Sequence, residues 1–150
     1  MEKELFDNKN SIFLIFNWKM KKAYDKMFYP IIRELELTQS EADILLFLYN
    51  NKQFDTAGDI AKYRAMSKSM ISKSVDGLYQ KAFIAYQVDQ KDKRCIHLTL
   101  EEAAMPIVQQ LKKVQKDFFD QLTHGITEHE YRVIESALDK MYTNITQTLK

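Results

Sequence analysis

The spacing of apolar residues changes abruptly near residue 82, and that change restricts the fold more than any other feature of this chain. Before it, the segment Thr56 to Tyr63 carries Ile60 and Ala61, and Ser67 to Gln80 carries Ile71, Val75 and Leu78. Spacings of three and four belong to helices. After it come Phe83-Ile84-Ala85-Tyr86-Gln87-Val88, a polar run from Asp89 to Arg94, and Cys95-Ile96-His97-Leu98 with apolar residues on alternate positions. That is the pattern of a β-hairpin. Arg64-Ala65-Met66 supplies the turn between the two short helices. Two helices joined by about three residues make a helix-turn-helix, here without the glycine that often sits in the turn. A hairpin placed directly after the second helix is a wing.

The flanking segments read as longer helices. Ile12, Phe13, Phe16, Met20, Tyr24, Met27 and Phe28 form an apolar stripe, which Pro30 is expected to end, with a short helix from Ile31 to Leu35 after it. Thr38-Gln39-Ser40-Glu41 is a capping box that opens a helix running to about Asn50. The same signal recurs at Thr99-x-x-Glu102 and Thr127-x-x-Glu130. Each opens an apolar seam: Ile107, Leu111, Val114, Phe118 and Leu122, then Tyr131, Ile134, Leu138, Met141, Ile145 and Leu149. A small helix-turn-helix core cannot cover both seams, so a second copy of the chain is the natural partner.

Size and composition agree with this reading. At 150 residues the chain suits one compact domain and is too short for two ordinary ones. With 45% hydrophobic and 29% charged residues and only 3 Gly and 2 Pro, it is an ordered, helix-rich sequence without the glycine that a fold of many tight β-turns needs. The expected fold class is mainly α with a small β-hairpin wing: a winged helix-turn-helix at about residues 38–99, flanked by dimerisation helices at about 8–29 and 101–149, all in a single domain.

A net charge of +1 conceals an uneven distribution. From Lys62 to Arg94 there are eight positive residues (Lys62, Arg64, Lys68, Lys73, Lys81, Lys91, Lys93, Arg94) and three negative ones (Asp76, Asp89, Asp92), a local balance of +5. Such a patch is the electrostatic footprint of a polyphosphate partner. The single cysteine, Cys95, cannot pair within the chain, and neither an export leader nor an apolar run of about 18 residues is present, so a reducing cytoplasm is the expected compartment.

These pieces resemble, in order and at their intervals, the multiple-antibiotic-resistance regulator (MarR) family of winged helix-turn-helix proteins. The likeness rests on Leu37-Thr38-x-x-Glu41-Ala42-x-Ile44-Leu45, on Ser67-x-Ser69-x-Ile71-Ser72-Lys73-x-Val75-Asp76-x-Leu78, on Asp89-x-x-Asp92-x-Arg94 and on Leu98-Thr99. It covers nearly the whole chain. The resemblance implies a homodimeric transcription regulator, a repressor released by a small-molecule effector, bound to a pseudo-palindromic site on double-stranded DNA. Two departures concern turns. Lys81-Ala82-Phe83 stands where the family usually has glycine, so Ala82 carries any left-handed conformation needed there, and Glu102-Ala103-Ala104 replaces a glycine expected after Leu98-Thr99.

If Ile71, Val75 and Leu78 face the core, then Lys68, Ser69, Ser72, Lys73 and Asp76 lie on the exposed face of the second helix. Short hydroxyls allow close approach to base edges, and the lysines add phosphate or guanine contacts. The expected DNA contacts are therefore Ser67, Lys68, Ser69, Ser72 and Lys73 on the helix and Lys91, Lys93 and Arg94 on the wing. Arg94 matches the family's wing arginine, suited to a narrow minor groove, with Asp92 orienting it or a neighbouring basic group. The competing readings are a solvated polar helix face and a plain hairpin tip.

Other residues invite chemistry and have plainer explanations. Phe16, Trp18, Tyr24 and Met27 are candidates to line a ligand pocket, against ordinary core packing. Cys95 lies next to Lys93 and Arg94, which stabilise a thiolate, yet redox-sensing members of the family carry their cysteine near the N-terminus, so an inert thiol is expected. His97, His124 and His129 with Glu128 and Asp120 show no compact ligand spacing, so neither metal nor cofactor is expected. Without a nucleophile-base pair, a phosphate-cradling glycine loop or a carboxylate dyad, an enzyme has little support. The alternative function is a winged-helix protein-interaction module that has lost DNA binding.

Overall fold

A computed structural model of the protein describes residues 9–150. Helix α1 (Lys9–Glu34) is followed by α2 (Gln39–Asn50), α3 (Ala57–Arg64) and α4 (Lys68–Gln80), then by strands β1 (Ile84–Val88) and β2 (Ile96–Leu100). A 3-10 turn (Glu102–Ala104) leads into α5 (Met105–Leu122), and α6 (Glu128–Thr148) follows. Two units divide between Phe118 and Phe119. Position 8, where the first dimerisation helix was expected to begin, lies outside the described residues.

The expected capping boxes at Thr38 and Thr127 are present. Thr38 Oγ1 accepts the Glu41 amide at 3.1 Å while Glu41 Oε2 accepts the Thr38 amide, and Thr127 and Glu130 repeat the exchange. A third box joins Thr56 to Asp59 at the start of α3, with aspartate in the position usually held by glutamate. Each satisfies backbone amides that a helix start leaves without partners.

Three expectations are corrected. Pro30 does not end the first helix, which runs unbroken to Glu34. The proline is exposed, so the carbonyl it frees at the exposed Lys26 is open to water, while Phe28 and Ile32 on either side are buried and hold both halves in line. Thr99 is not a helix cap. It pairs with Ala85 in the hairpin, and the ladder continues as the Glu101 amide donates to Phe83 O at 2.9 Å, so the following helix starts later, with Pro106 in a first turn that tolerates it. In α5 the buried positions are Val108, Leu111 and Phe118; Val108 takes the place expected for Ile107, which is half-buried.

The core of the first unit gathers Phe28 and Ile32 of α1, Ile44, Leu45 and Leu48 of α2, Ile60 of α3, Ile71, Val75 and Leu78 of α4, Ile84 and Leu98 of the hairpin, and Val108 and Leu111 of α5. The strands pair antiparallel from Ile84↔Leu100 to Val88↔Ile96, and an isolated bridge from Thr56 to His97 adds the segment before α3 to the sheet. In the second unit α6 buries none of its residues, and its seam from Tyr131 to Leu149 is exposed throughout. Among the described residues no helix is long and apolar enough to cross a membrane.

Candidate nucleic-acid interface

Ile71, Ser74, Val75 and Leu78 point α4 into the core, which leaves Lys68, Ser69, Ser72, Lys73 and Asp76 exposed on the opposite face. Ser67 is the N-cap: its Oγ accepts the Met70 amide at 3.2 Å, so one of its lone pairs is already engaged. The turn before it is made by Ala65 in the left-handed region, φ 52°, a conformation usually given to glycine.

The wing tip is a loop organised by two aspartates. Asp89 Oδ1 accepts the amides of Lys91 at 2.7 Å and Asp92 at 2.9 Å, and Asp92 Oδ1 accepts the amide of Arg94 at 3.0 Å. Asp92 thus orients Arg94 through its backbone, while the Arg94 side chain stays exposed. Lys91, Lys93 and Arg94 are all exposed. Tyr86 ties the wing to the helix: its ring stacks on Tyr79 at 4.5 Å and its hydroxyl donates to Asp76 at 3.3 Å. Sequence reasoning did not single out either tyrosine, although Tyr86 stands on the alternating pattern of β1.

Not all of the local positive charge is available to a partner. Arg64 pairs with Asp43 of α2 at 3.3 Å, and Lys81 pairs with Glu41 at 2.7 Å while donating to Glu36 O. The remaining six cations (Lys62, Lys68, Lys73, Lys91, Lys93, Arg94) form no ion pair among the described residues.

A cavity of about 350 Å³ lies where α1, α2, α3 and α5 meet within the first unit, lined by Tyr24, Asp43, Phe47, Phe54, Tyr63, Arg64 and Gln115 among others. Burial pushes the Asp43 carboxyl up in spite of Arg64 and the Gln39 amide beside it. Of the four aromatic and Met candidates only Tyr24 lines this cavity; Phe16 and Trp18 are exposed and Met27 is half-buried. Partial burial, with Asp89 and Asp92 nearby, pushes the Cys95 thiol up, the reverse of activation by Lys93 and Arg94. His97 is held by Asp55 and Asp89, His124 and His129 are exposed, and no cluster of His, Cys, Asp and Glu suited to a metal occurs among the described residues.

The MarR family sequence model matches residues 35–94. A MarR-family transcriptional regulator of Silicibacter pomeroyi is similar at 20% identity with a TM-score of 0.79, over 91% of each chain. A putative MarR-family regulator of Listeria monocytogenes, solved with a 26mer DNA, gives 18% identity and a TM-score of 0.80 over 90% of this chain and 89% of that one. MepR of S. aureus, solved with DNA, gives 21% and 0.72 over 92% and 96%. These likenesses show that the chain has the winged-helix fold of those proteins over most of its length. The segment matched by the MarR family model, residues 35–94, contains α2, α3, α4, β1 and the wing loop up to Arg94.

Proposed function

We infer that the protein is a sequence-specific DNA-binding transcription regulator, a cytoplasmic homodimeric repressor on a pseudo-palindromic operator, with no catalytic role. The observation that carries this reading is the exposed face of α4, bearing Lys68, Ser69, Ser72 and Lys73, next to a wing whose Lys91, Lys93 and Arg94 form no ion pair among the described residues. A convex polar helix beside a cationic hairpin suits a major groove and the flanking backbone or minor groove. The DNA-bound relatives in Listeria monocytogenes and S. aureus share this architecture.

The dimer is supported by the apolar row left exposed on α6, with Leu138, Ile145 and Leu149, and by Phe13, Phe16 and Trp18 on α1. A winged helix at about 38–99 then acts as the reading head, with the helices on either side as the dimerisation region of one functional domain. Effector response is supported by the cavity against Arg64: a small molecule there would compete with the Asp43–Arg64 pair, which links α2 to the first helix of the helix-turn-helix.

Selection of genomic fragments by the purified protein, followed by titration across salt concentrations, tests the reading. Specific fragments should be enriched, and log affinity should fall with log salt at a slope of about −0.9 per phosphate contact. An unenriched pool and a flat salt response would favour a protein-interaction module instead.

A further inference from the structure

The imidazole of His97 stands between two carboxylates from different parts of the fold. Nδ1 lies 2.6 Å from Asp55 Oδ1, in the segment before α3, and Nε2 lies 2.9 Å from Asp89 Oδ2, at the opening of the wing loop. Ionised carboxylates only accept hydrogen bonds, and a neutral imidazole has a single N–H. It can satisfy one of these contacts, and the other would set a lone pair against a lone pair. An imidazolium satisfies both.

Asp89 uses its second oxygen to accept the amides of Lys91 and Asp92, and Asp92 in turn accepts that of Arg94. A continuous chain of hydrogen bonds therefore runs from Asp55 through the ring to the backbone that carries the wing cations. We propose that His97 is a proton-operated positioning residue of the wing: charged, it clamps the Asp89 loop to the start of α3, and on losing a proton to solvent it releases one carboxylate and the loop shifts. The consequence for DNA rests on the DNA-binding reading; the clamp itself does not.

The charged surroundings favour the clamped form. The hydrogen bond to Asp55, then that to Asp89, raises His97 above the ordinary imidazole value of 6.5, and the bond to His97 followed by the two loop amides lowers Asp89 to about 2. Asp59 on α3 is engaged by Thr56, and Asp92, Lys91, Lys93 and Arg94 complete the charges of the loop. Because the histidine is raised on folding, its contribution is fully present below 6.5 and lost as pH rises through the higher folded value. Asp89 ends the window only at its low value.

NMR titration of the His97 ring and of the Lys91–Arg94 amides, alongside DNA affinity at fixed salt between about pH 6 and 8, tests the proposal. The ring should titrate above 6.5 with the wing amides following at the same midpoint, and affinity should fall on the order of fivefold in step, the lower end of typical coupling between linked equilibria. In Asp55→Asn the side-chain amide donates to an unprotonated Nδ1 while Nε2–H still serves Asp89, so the ring should titrate lower and affinity should become flat with pH. His97→Gln, which carries no charge, should likewise be flat. Titration at or below 6.5, wing amides that do not follow the ring, or wild-type pH dependence in either variant would overturn the clamp. If ring and wing amides titrate together but no DNA binds at any pH, the clamp stands and the DNA-binding reading falls.

Discussion

A Cβ placed on Gly77 of α4 would lie 2.3 Å from Oε1 of Glu41 on α2. That carboxylate is tethered. It is 5% exposed, its Oε2 accepts both the Thr38 amide and Lys81 Nζ, and it thereby joins the start of α2 to the end of α4. A helix-interior glycine costs roughly 0.5–1 kcal/mol relative to alanine, so its presence here is explained by the close approach and not by propensity. Gly77→Ala should therefore destabilise the protein by roughly 1–3 kcal/mol, the range for overpacking, in spite of the better helix former. Urea denaturation checks this; an unchanged or raised midpoint would show that Glu41 yields freely.

Ala82 offers the opposite case. Its φ of 60° is left-handed, and the Ala82 and Phe83 amides bond to Tyr79 O at 2.9 Å and Leu78 O at 3.0 Å, a complete Schellman end to α4. Glycine removes the steric cost at that position, and Ala82→Gly should raise stability by about 0.5–1 kcal/mol, the part of the left-handed penalty of about 1–2 kcal/mol that survives glycine's greater unfolded-state entropy. A lower thermal midpoint would contradict this account.

Much of this architecture was legible because its signals are local. Thr38-x-x-Glu41 and Thr127-x-x-Glu130 mark helix starts through bonds spanning three residues, and the unusual Lys81-Ala82-Phe83 marks the left-handed turn at Ala82. Thr99 misled because the same threonine suits both a cap and a strand, and hairpin pairing out to Glu101 decided between them. Pro30 misled because burial of Phe28 and Ile32 outweighs one lost hydrogen bond on an exposed face. In the interface, the sequence placed the exposed cations and hydroxyls of α4 but could not show that Arg64 and Lys81 are engaged by Asp43 and Glu41, or that His97 meets Asp55. Those pairs are separated by 21, 40 and 42 positions, and no periodicity records them.

The exposed row on α6 makes a sharp prediction about assembly. Leu138 is 57% exposed and Ile145 60% exposed within one chain, so replacing either with glutamate removes nothing from the protomer's own core. In a dimer that buries this row, each copy would instead place a charge in an apolar interface, and twofold symmetry presents the substitution twice. Light scattering should give twice the chain mass of 17.8 kDa for the wild type and a shift toward the single-chain mass for Leu138→Glu or Ile145→Glu, with helicity kept. A wild-type monomer at micromolar concentration would sink the dimer.

Helix and wing should differ in what their loss does to DNA recognition. Ser72 and Lys73 stand on the exposed face of α4, and in a major groove each base pair presents its own donor and acceptor pattern. Losing one such contact costs about 1–3 kcal/mol at one position and relaxes preference there. Arg94 sits on the wing with its amide fixed by Asp92, where a planar guanidinium meets phosphates or a minor groove that separates little beyond A·T from G·C. Ser72→Ala or Lys73→Ala should therefore reorder the preferred bases in a library of single-base operator variants, whereas Arg94→Ala should weaken most of them by a similar factor. None of these side chains is buried or ion-paired among the described residues, so circular dichroism should show intact folding in all three variants. An unchanged affinity for folded Arg94→Ala, or a loss for Lys73→Ala with no change in the preference profile, would assign the two elements the wrong roles.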